Sequence, residues 1–298
     1  MCRFRFAAFL FLLSLLTFGG ELFYCLQPQG KRKTFPRRTA ALGRTHIVID
    51  ESFDGSPDER WTREELRQFK SRGAMVLCYF SIGEAETYRG YWQRGWKKNP
   101  PPFLVSENPQ WKGNIRVRYW DPAWQKIMLN ELDRIADAGF DGVFLDIVDG
   151  FEFFEEKARR ESAVNPATGK TYRADMVQWV LRLADRARKK KAEFRIFIQN
   201  GEALLEDPAL LRAIDGLVVE DLFGNGRKMQ PASEIRGRMR YLRLVRQSGK
   251  TCFAVEYLPF GGKKAVREQA ARFQVDLLVT DRELKTDGVS YPVPAAKR

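Results

Sequence analysis

Between residues 45 and 281, short apolar runs alternate with longer helical patterns, and this alternation constrains the fold more than any other feature of the chain. The runs cover residues 45–50, 74–81, 115–120, 142–146, 194–200, 216–221, 251–257 and 276–281. Most are rich in Val, Ile, Leu and Phe, as strands covered on both faces of a parallel sheet are. The stretches 62–72, 123–138, 173–191, 203–213, 232–248 and 264–273 carry helical periodicity. In 123–138, for example, Trp124, Ile127, Met128, Leu132 and Ile135 fall on one face. Eight strands alternating with helices predict an α/β fold, a (β/α)8 TIM barrel in a single domain. An open doubly wound sheet is the rival, and it calls for a Gly-rich phosphate turn after the first strand. Asp50-Glu51-Ser52-Phe53-Asp54-Gly55 is not such a turn. The connection from the second run to the third is aromatic and Pro-rich, and is expected to be a long loop with a short helix.

The flanks read differently. Arg3 and Arg5 precede an uncharged apolar stretch over 6–20, and Thr17-Phe18-Gly19 supplies small residues suited to signal peptidase. Residues 1–26 are therefore read as a signal peptide or an uncleaved N-terminal anchor. The protein is expected to be exported, periplasmic or extracellular, and tethered to the membrane only if the leader stays uncleaved. Cys25 follows bulky Phe23 and Tyr24, a poor setting for lipid attachment. Residues 27–44 read as a mobile basic linker, leaving 45–298 as the barrel domain. Cys78 and Cys252 lie inside apolar runs and read as buried free thiols.

Two compositional facts exclude function classes. The net charge is +13, from 51 Lys and Arg against 38 Asp and Glu, which favours anionic surfaces. The basic residues are dispersed, however, and no nucleic-acid motif accompanies them, so nucleic acid is not an expected partner. His46 is the only histidine. Serine–histidine hydrolysis and histidine-rich metal chemistry lose their usual base or ligand, so acid–base work falls to carboxylates, Tyr or Lys.

Five runs end in an acid: Asp50, Asp146, Glu220, Glu256 and Asp281. In a barrel these ends form the catalytic face. Side chains alternate along a strand, so Phe144 and Gly142 would share the inward face with Asp146, Val218 with Glu220, and Ala254 with Glu256. Asp50 and Asp281 fit capping of the following helices equally well. Glycosidic cleavage needs two carboxyl groups, one to protonate the leaving oxygen and one to attack the sugar or activate water. Sugar binding also favours flat aromatic faces. Trp92, Trp96, Trp111, Trp120 and Trp124 crowd one segment with Tyr88, Tyr91 and Tyr119. That segment is expected to form a small core of its own with about two rings facing substrate. A third reading pairs Asp146 with Asp149 on a divalent metal, with Gly261-Gly262-Lys263-Lys264 as a weak phosphate feature.

Tyr79-Phe80-Ser81-Ile82-Gly83-Glu84-Ala85-Glu86, followed by Tyr88-Arg89 and Tyr91-Trp92, resembles the second-strand signature of glycoside hydrolase family 114, which holds endo-α-1,4-polygalactosaminidases. The resemblance continues through Val117-Arg118-Tyr119-Trp120-Asp121-Pro122, Gly139-Phe140-Asp141-Gly142-Val143-Phe144-Leu145-Asp146 and Gln199-Asn200-Gly201-Glu202. It then takes in Gly216-Leu217-Val218-Val219-Glu220-Asp221 and Val255-Glu256-Tyr257. It implies a (β/α)8 barrel without a metal or other cofactor, acting on a polysaccharide. It also implies a retaining mechanism with Asp146 as nucleophile and Glu220 as general acid/base, their carboxyls about 5–5.5 Å apart. Asp50, Tyr79, Ser81, Glu84, Asp149, Asn200, Glu256 and Tyr257 fall at positions expected to line the sugar site. Deacetylated polygalactosamine is cationic, like this chain, so an acetylated, neutral or anionic polymer stays open as substrate. A non-catalytic polysaccharide-binding barrel of an envelope assembly is the alternative from a different functional class.

Overall fold

The computed structural model describes residues 20–293. In chain order it contains β1 (Leu22–Cys25), α1 (Phe35–Ala41), β2 (His46–Ile49), α2 (Arg63–Phe69) and β3 (Met75–Ser81). An excursion follows through β4 (Glu84–Glu86), β5 (Leu104–Glu107) and β6 (Asn114–Val117). The alternation then resumes with α3 (Pro122–Ala138), β7 (Gly142–Asp146), α4 (Phe151–Lys157), α5 (Tyr172–Lys190), β8 (Arg195–Gln199) and α6 (Pro208–Ala213). It closes with β9 (Gly216–Glu220), α7 (Ala232–Gln247), β10 (Thr251–Tyr257), α8 (Lys264–Phe273), β11 (Asp276–Thr280) and β12 (Val289–Tyr291).

The main sheet runs β1-β2-β3-β7-β8-β9-β10-β11-β12. Its first eight strands are parallel, and β12 returns antiparallel to β11. The seam between β1 and the far edge is bridged without a ladder. The Gly20 N–H donates to Asp276 Oδ2 at 2.8 Å, the Leu22 N–H to Ser290 Oγ at 3.3 Å, and the Leu26 N–H to the Leu284 carbonyl at 3.0 Å. The result is a nearly closed TIM-type barrel, as the alternation predicts.

Seven of the eight barrel strands lie where the sequence pattern put them, and one does not. The first barrel strand is β1, inside the segment read as leader, so the assignment of 1–26 to a removable or membrane-spanning segment does not hold for 22–25. Leu22 and Tyr24 face the barrel interior, while Phe23 and Cys25 pack outward. Leu22–Cys25 follows the apolar stretch after only Gly19-Gly20-Glu21, and four apolar residues are too few for periodicity to mark a strand. The apolar stretch before Gly20 lies outside the described residues. Conversely, the run at 115–120 supplies β6 of a separate antiparallel sheet, ordered β4-β6-β5. Arg116 in β6 is half-buried, which fits an antiparallel strand with one wet face rather than a barrel strand covered twice.

The segment read as a mobile linker is folded. Arg32 binds Glu65 through Nε at 3.0 Å and Glu59 through Nη1 at 2.7 Å. Pro36 starts α1, where its missing N–H is harmless. Phe35 is buried among Trp61, Phe69, Phe53 and Phe23, with ring centroids 5.6–6.2 Å away. α1 is therefore the first covering helix of the barrel. Cys25, Cys78 and Cys252 are all buried free thiols. Among the described residues, no helix is long and apolar enough to cross a membrane.

Register fixes which side chains look inward. Phe144, Phe197, Val218, Phe253, Val255 and Leu278 fill the barrel. Gly216 makes room for this layer, since a Cβ there would fall on the Phe197 ring. Val255 lies alongside Glu220 in the ladder, so Val255 and Tyr257 share its inward face. Ala254 and Glu256 consequently point outward, opposite to the parity expected when Glu256 is counted as a rim acid.

Candidate active site

Asp146 is the last residue of β7 and faces inward with Phe144. Its Oδ2 accepts the Tyr79 hydroxyl at 2.7 Å, and its Oδ1 accepts the Ile147 N–H at 2.8 Å. Ile147 has φ 56°, a costly left-handed conformation for a β-branched residue. It turns the chain off the barrel wall immediately after the acid. Gly83 permits that turn, because a Cβ there would meet the Ile147 carbonyl and side chain.

Glu220 is the last residue of β9. Its Oε1 accepts the Tyr257 hydroxyl, and its Oε2 accepts Asn200 Nδ2 at 3.0 Å. Asn200 in turn accepts the Glu220 N–H at 3.0 Å, so one amide holds both the backbone and the carboxylate. Between the two acids, Gln199 ends β8 and accepts the Tyr24 hydroxyl at 3.0 Å. The Tyr24 ring packs 5.0 Å from Phe144.

The environments separate the two acids. Burial pushes Asp146 up to about 6, opposed by the Tyr79 hydroxyl and the Ile147 N–H, while the charge of Glu86 adds to the rise. Burial also pushes Glu220 up to about 7, and the negative charge of Asp146 is the next cause; the Gln199 and Asn200 amides oppose it. Between pH ~6 and ~7 the favoured state is Asp146 ionised beside protonated Glu220. Asp149 is raised well above its ordinary value by burial and by the charges of Asp146, Glu152 and Glu220. Burial raises Glu84 too, against the amides of Asn108 and Asn114 that bind its carboxylate at 2.8 and 3.3 Å.

Tyr79, Asn200 and Tyr257 thus touch the two acids, and Glu84 and Asp149 lie within their electrostatic reach. The other three expected site residues have different duties. Asp50 is buried in a two-pronged pair with Arg89, both contacts 2.7 Å, and also accepts the Ser52 N–H at 3.2 Å. Ser81 is buried and donates to the Glu84 carbonyl at 3.1 Å, closing the turn between β3 and β4. Glu256 faces away from the barrel and accepts the Phe223 and Gly224 N–H groups at 2.6 and 3.1 Å, fixing the loop after β9. Burial raises it to about 8, although the Phe223 N–H pulls the other way. Asp281, ambiguous in the sequence, caps its turn by accepting the Lys285 and Thr286 N–H groups at 3.1 and 2.8 Å.

Tyr24, Gln199, Glu86 and Arg89 were not among the expected site residues, although the last three fall within the quoted motifs. Tyr24 was hidden by the leader assignment. Gln199 shares the inward parity of Phe197 and was within reach of the same alternation argument that found Asp146. The lone His46 sits at the opposite end of the barrel, its ring 5.6 Å from Phe197 and 5.1 Å from Phe253, and burial lowers it to about 4.

Most of the aromatic segment is core. Trp96, Trp124 and Tyr119 are buried, and Tyr91, Trp92 and Trp120 pack against them. Tyr88 and Trp111 remain 50% and 43% exposed. Trp111 lies in the turn between β5 and β6, flanked by the Asn108 and Asn114 that hold Glu84. The phosphate reading gains no geometric support. A Cβ at Gly261 would lie 2.8 Å from Glu256 backbone, so this glycine serves close packing. Among the described residues, no group of three or more His, Cys, Asp or Glu side chains is placed to hold a metal.

Known proteins share both sequence and fold. A protein of Methanocaldococcus jannaschii, itself uncharacterized, is 41% identical over 223 residues, covering 74% of this chain and 62% of that protein. An uncharacterized protein of Thermotoga maritima is 34% identical over 231 residues, covering 76% and 68%. The chain thus spans roughly two thirds of the length of these relatives. Among solved structures, Aspergillus fumigatus Ega3 in complex with galactosamine superposes with a TM-score of 0.65 at 17% identity, over 92% of this chain and 96% of that one. The glycoside hydrolase domain of PelA from Pseudomonas aeruginosa gives 0.66 at 16% identity, over 91% and 99%. At such identities these two likenesses concern the fold. The family profile described as glycoside-hydrolase family GH114 matches residues 40–294, most of the barrel and both rim acids, and the chain belongs to that family.

Proposed function

We propose that this protein is an exported, retaining endo-glycosidase that hydrolyses an amino-sugar-containing polysaccharide, in the manner of an endo-α-1,4-galactosaminidase. The observation that carries the reading is the pair of inward carboxyls at the ends of β7 and β9, Asp146 pushed to about 6 and Glu220 to about 7. Asp146, ionised first and oriented by Tyr79, attacks the anomeric carbon. Glu220, protonated and held by Asn200 and Tyr257, gives its proton to the departing glycosidic oxygen. In the second step Glu220, now a base, takes a proton from water as that water displaces Asp146 from the sugar. Galactosamine bound in the structurally similar Ega3 supports an amine-bearing sugar. The charged leader pattern before Gly20 supports export.

Reducing-end release tests the reading on acetylated and deacetylated galactosaminogalactan, using protein that begins at Gly20. Cleavage by the native protein, lost in Asp146→Asn and Glu220→Gln, is the expected result. Binding without cleavage on every polymer would favour the non-catalytic polysaccharide-binding barrel instead.

A further inference from the structure

We propose that Arg89 is a positioning residue for Asp146, acting through Tyr79 and Glu86; the proposal rests on the nucleophile role given to Asp146. Arg89 follows β4 in a tight turn, its N–H donating to the Glu86 carbonyl at 3.1 Å. The guanidinium is buried and fully engaged. Nη1 and Nη2 grip Asp50 at 2.7 Å each, Nε holds Glu86 Oε2 at 2.6 Å, and the Tyr88 hydroxyl completes Glu86 at 2.6 Å on Oε1. The guanidinium carbon lies 5.9 Å from the centroid of the Tyr79 ring and 4.9 Å from that of Tyr88. Tyr79 is therefore bracketed, with a cation at its ring and Asp146 at its hydroxyl.

The charge pattern gives this bracket a purpose beyond packing. The titratable groups acting on or acted on by Asp146 are Tyr79 from β3, Tyr24 from β1, Glu84 and Glu86 from β4, Asp149 after β7, and Glu220 from β9. None is a cation. Glu86 opposes ionisation of Asp146, and the charge that offsets Glu86 at contact distance is that of Arg89. Asp50 and Glu86 together outnumber it, so the cluster stays anionic and sensitive to the loss of either sign. Arg89 thus keeps a neighbouring carboxylate from raising the nucleophile's proton affinity further, and it steadies the hydroxyl that aims the nucleophile.

The test reads Asp146 directly, so it does not depend on finding the substrate. Aspartate carboxyl carbons are 13C-labelled, the Asp146 signal is assigned by its disappearance in Asp146→Asn, and its titration midpoint is followed by NMR. Glu86→Gln, which keeps the contacts but removes one negative charge, should lower the midpoint by about one unit; Arg89→Gln should raise it by about one unit. Arg89→Lys should restore the midpoint while leaving catalysis impaired, because a point charge cannot make the two-pronged contact. On a cleaved polymer the acid limb of kcat/KM should move in the same directions while the alkaline limb stays. An Asp146 midpoint unmoved in Glu86→Gln, with Arg89→Gln either unmoved or unfolded, overturns the proposal. Hydrolysis abolished by Asp146→Asn with an unmoved midpoint sinks this inference alone; a moved midpoint without hydrolysis of any polymer sinks the proposed function alone.

Discussion

Starting the chain at Arg44, as its sequence pattern alone would suggest, removes β1 and α1 and should abolish the fold. Leu22, Phe23, Tyr24 and Cys25 are all buried, split between the barrel interior and its helical shell. Large apolar side chains contribute about 1.5–3 kcal/mol each on burial, so the three large ones in β1 account for about 5–9 kcal/mol. Phe35 in α1 adds about 2 kcal/mol. Domains of this kind are stable by roughly 5–15 kcal/mol in all, so the loss alone consumes most of that margin. It also leaves β2 with an unpaired edge and admits water to the face of Gln199. Two proteins, beginning at Gly20 and at Arg44, should be compared by circular dichroism melting, gel filtration and sugar release. The longer one should melt cooperatively as a monodisperse species, and the shorter one should aggregate or lack a transition. Tyr24→Phe separates fold from site: it keeps the packing and loses only the bond to Gln199, about 1 kcal/mol. A chain from Arg44 that melts cooperatively and cleaves at the full rate would refute the argument.

The pH profile of kcat/KM should be a narrow bell, falling below about 6 as Asp146 takes a proton and above about 7 as Glu220 loses one. Asp146→Asn and Glu220→Gln should each lower kcat by about 10²-fold or more, measured by reducing-end release. Trp111→Ala should raise KM several-fold for long oligosaccharides and leave kcat near its native value, since the ring is exposed and contacts neither acid. Glu256→Ala should lower stability by about 1–3 kcal/mol, because two buried N–H groups lose their acceptor, while the limbs of the pH profile stay in place. Glu220→Gln should stabilise the fold in a pH-dependent way. The folded carboxyl titrates at about 7 against 4.5 when exposed, so its penalty is absent below pH ~4.5, grows through that window and is complete above ~7, reaching at most about 3 kcal/mol. Thermal melts of both proteins at pH 4 and pH 8 should therefore coincide at the former and separate at the latter.

The barrel and its acid-bearing rim were legible in the sequence because each rests on a local rule, whereas the choice of Asp146 and Glu220 among five strand-end acids came from the family resemblance. Gly142-Val143-Phe144-Leu145-Asp146 and Gly216-Leu217-Val218-Val219-Glu220 have the same form: a buried apolar strand that ends on an acid of inward parity. What the pattern missed was nonlocal. Leu22–Cys25 becomes a strand only because β2 pairs with it and α1 covers it, and nothing in four apolar residues distinguishes that from a leader's end. Glu256 failed for a related reason. Its strand end looked like the other two, but register with β9 sets Val255 rather than Glu256 beside Glu220, and register is decided across strands. Arg89 illustrates a third limit: the motif that contains it was visible, yet its bond to Asp50 spans 39 residues and depends on β3 pairing beside β2.

Three successive strand ends share one device that ties the fold to the chemistry. Asp146, Gln199 and Glu220 close β7, β8 and β9, and the residue after each, Ile147, Asn200 and Asp221, has φ 56°, 52° and 48°. Asn and Asp tolerate the left-handed region, whereas Ile does so at a cost of roughly 1–3 kcal/mol. Each turn sends the chain away from the barrel axis at once, so the last inward side chain stands at the mouth with no further residue above it on its own strand. The cost is greatest at Ile147, which also donates its N–H to Asp146 and packs on Gly83 and Gly150. Strain, burial of two acids and the glycines that permit close approach are thus concentrated at one point of the rim. A chain selected for stability alone would place none of them there. Their coincidence at Asp146 and Glu220 is a physical reason, independent of any relative, to look for the reaction at this end of the barrel.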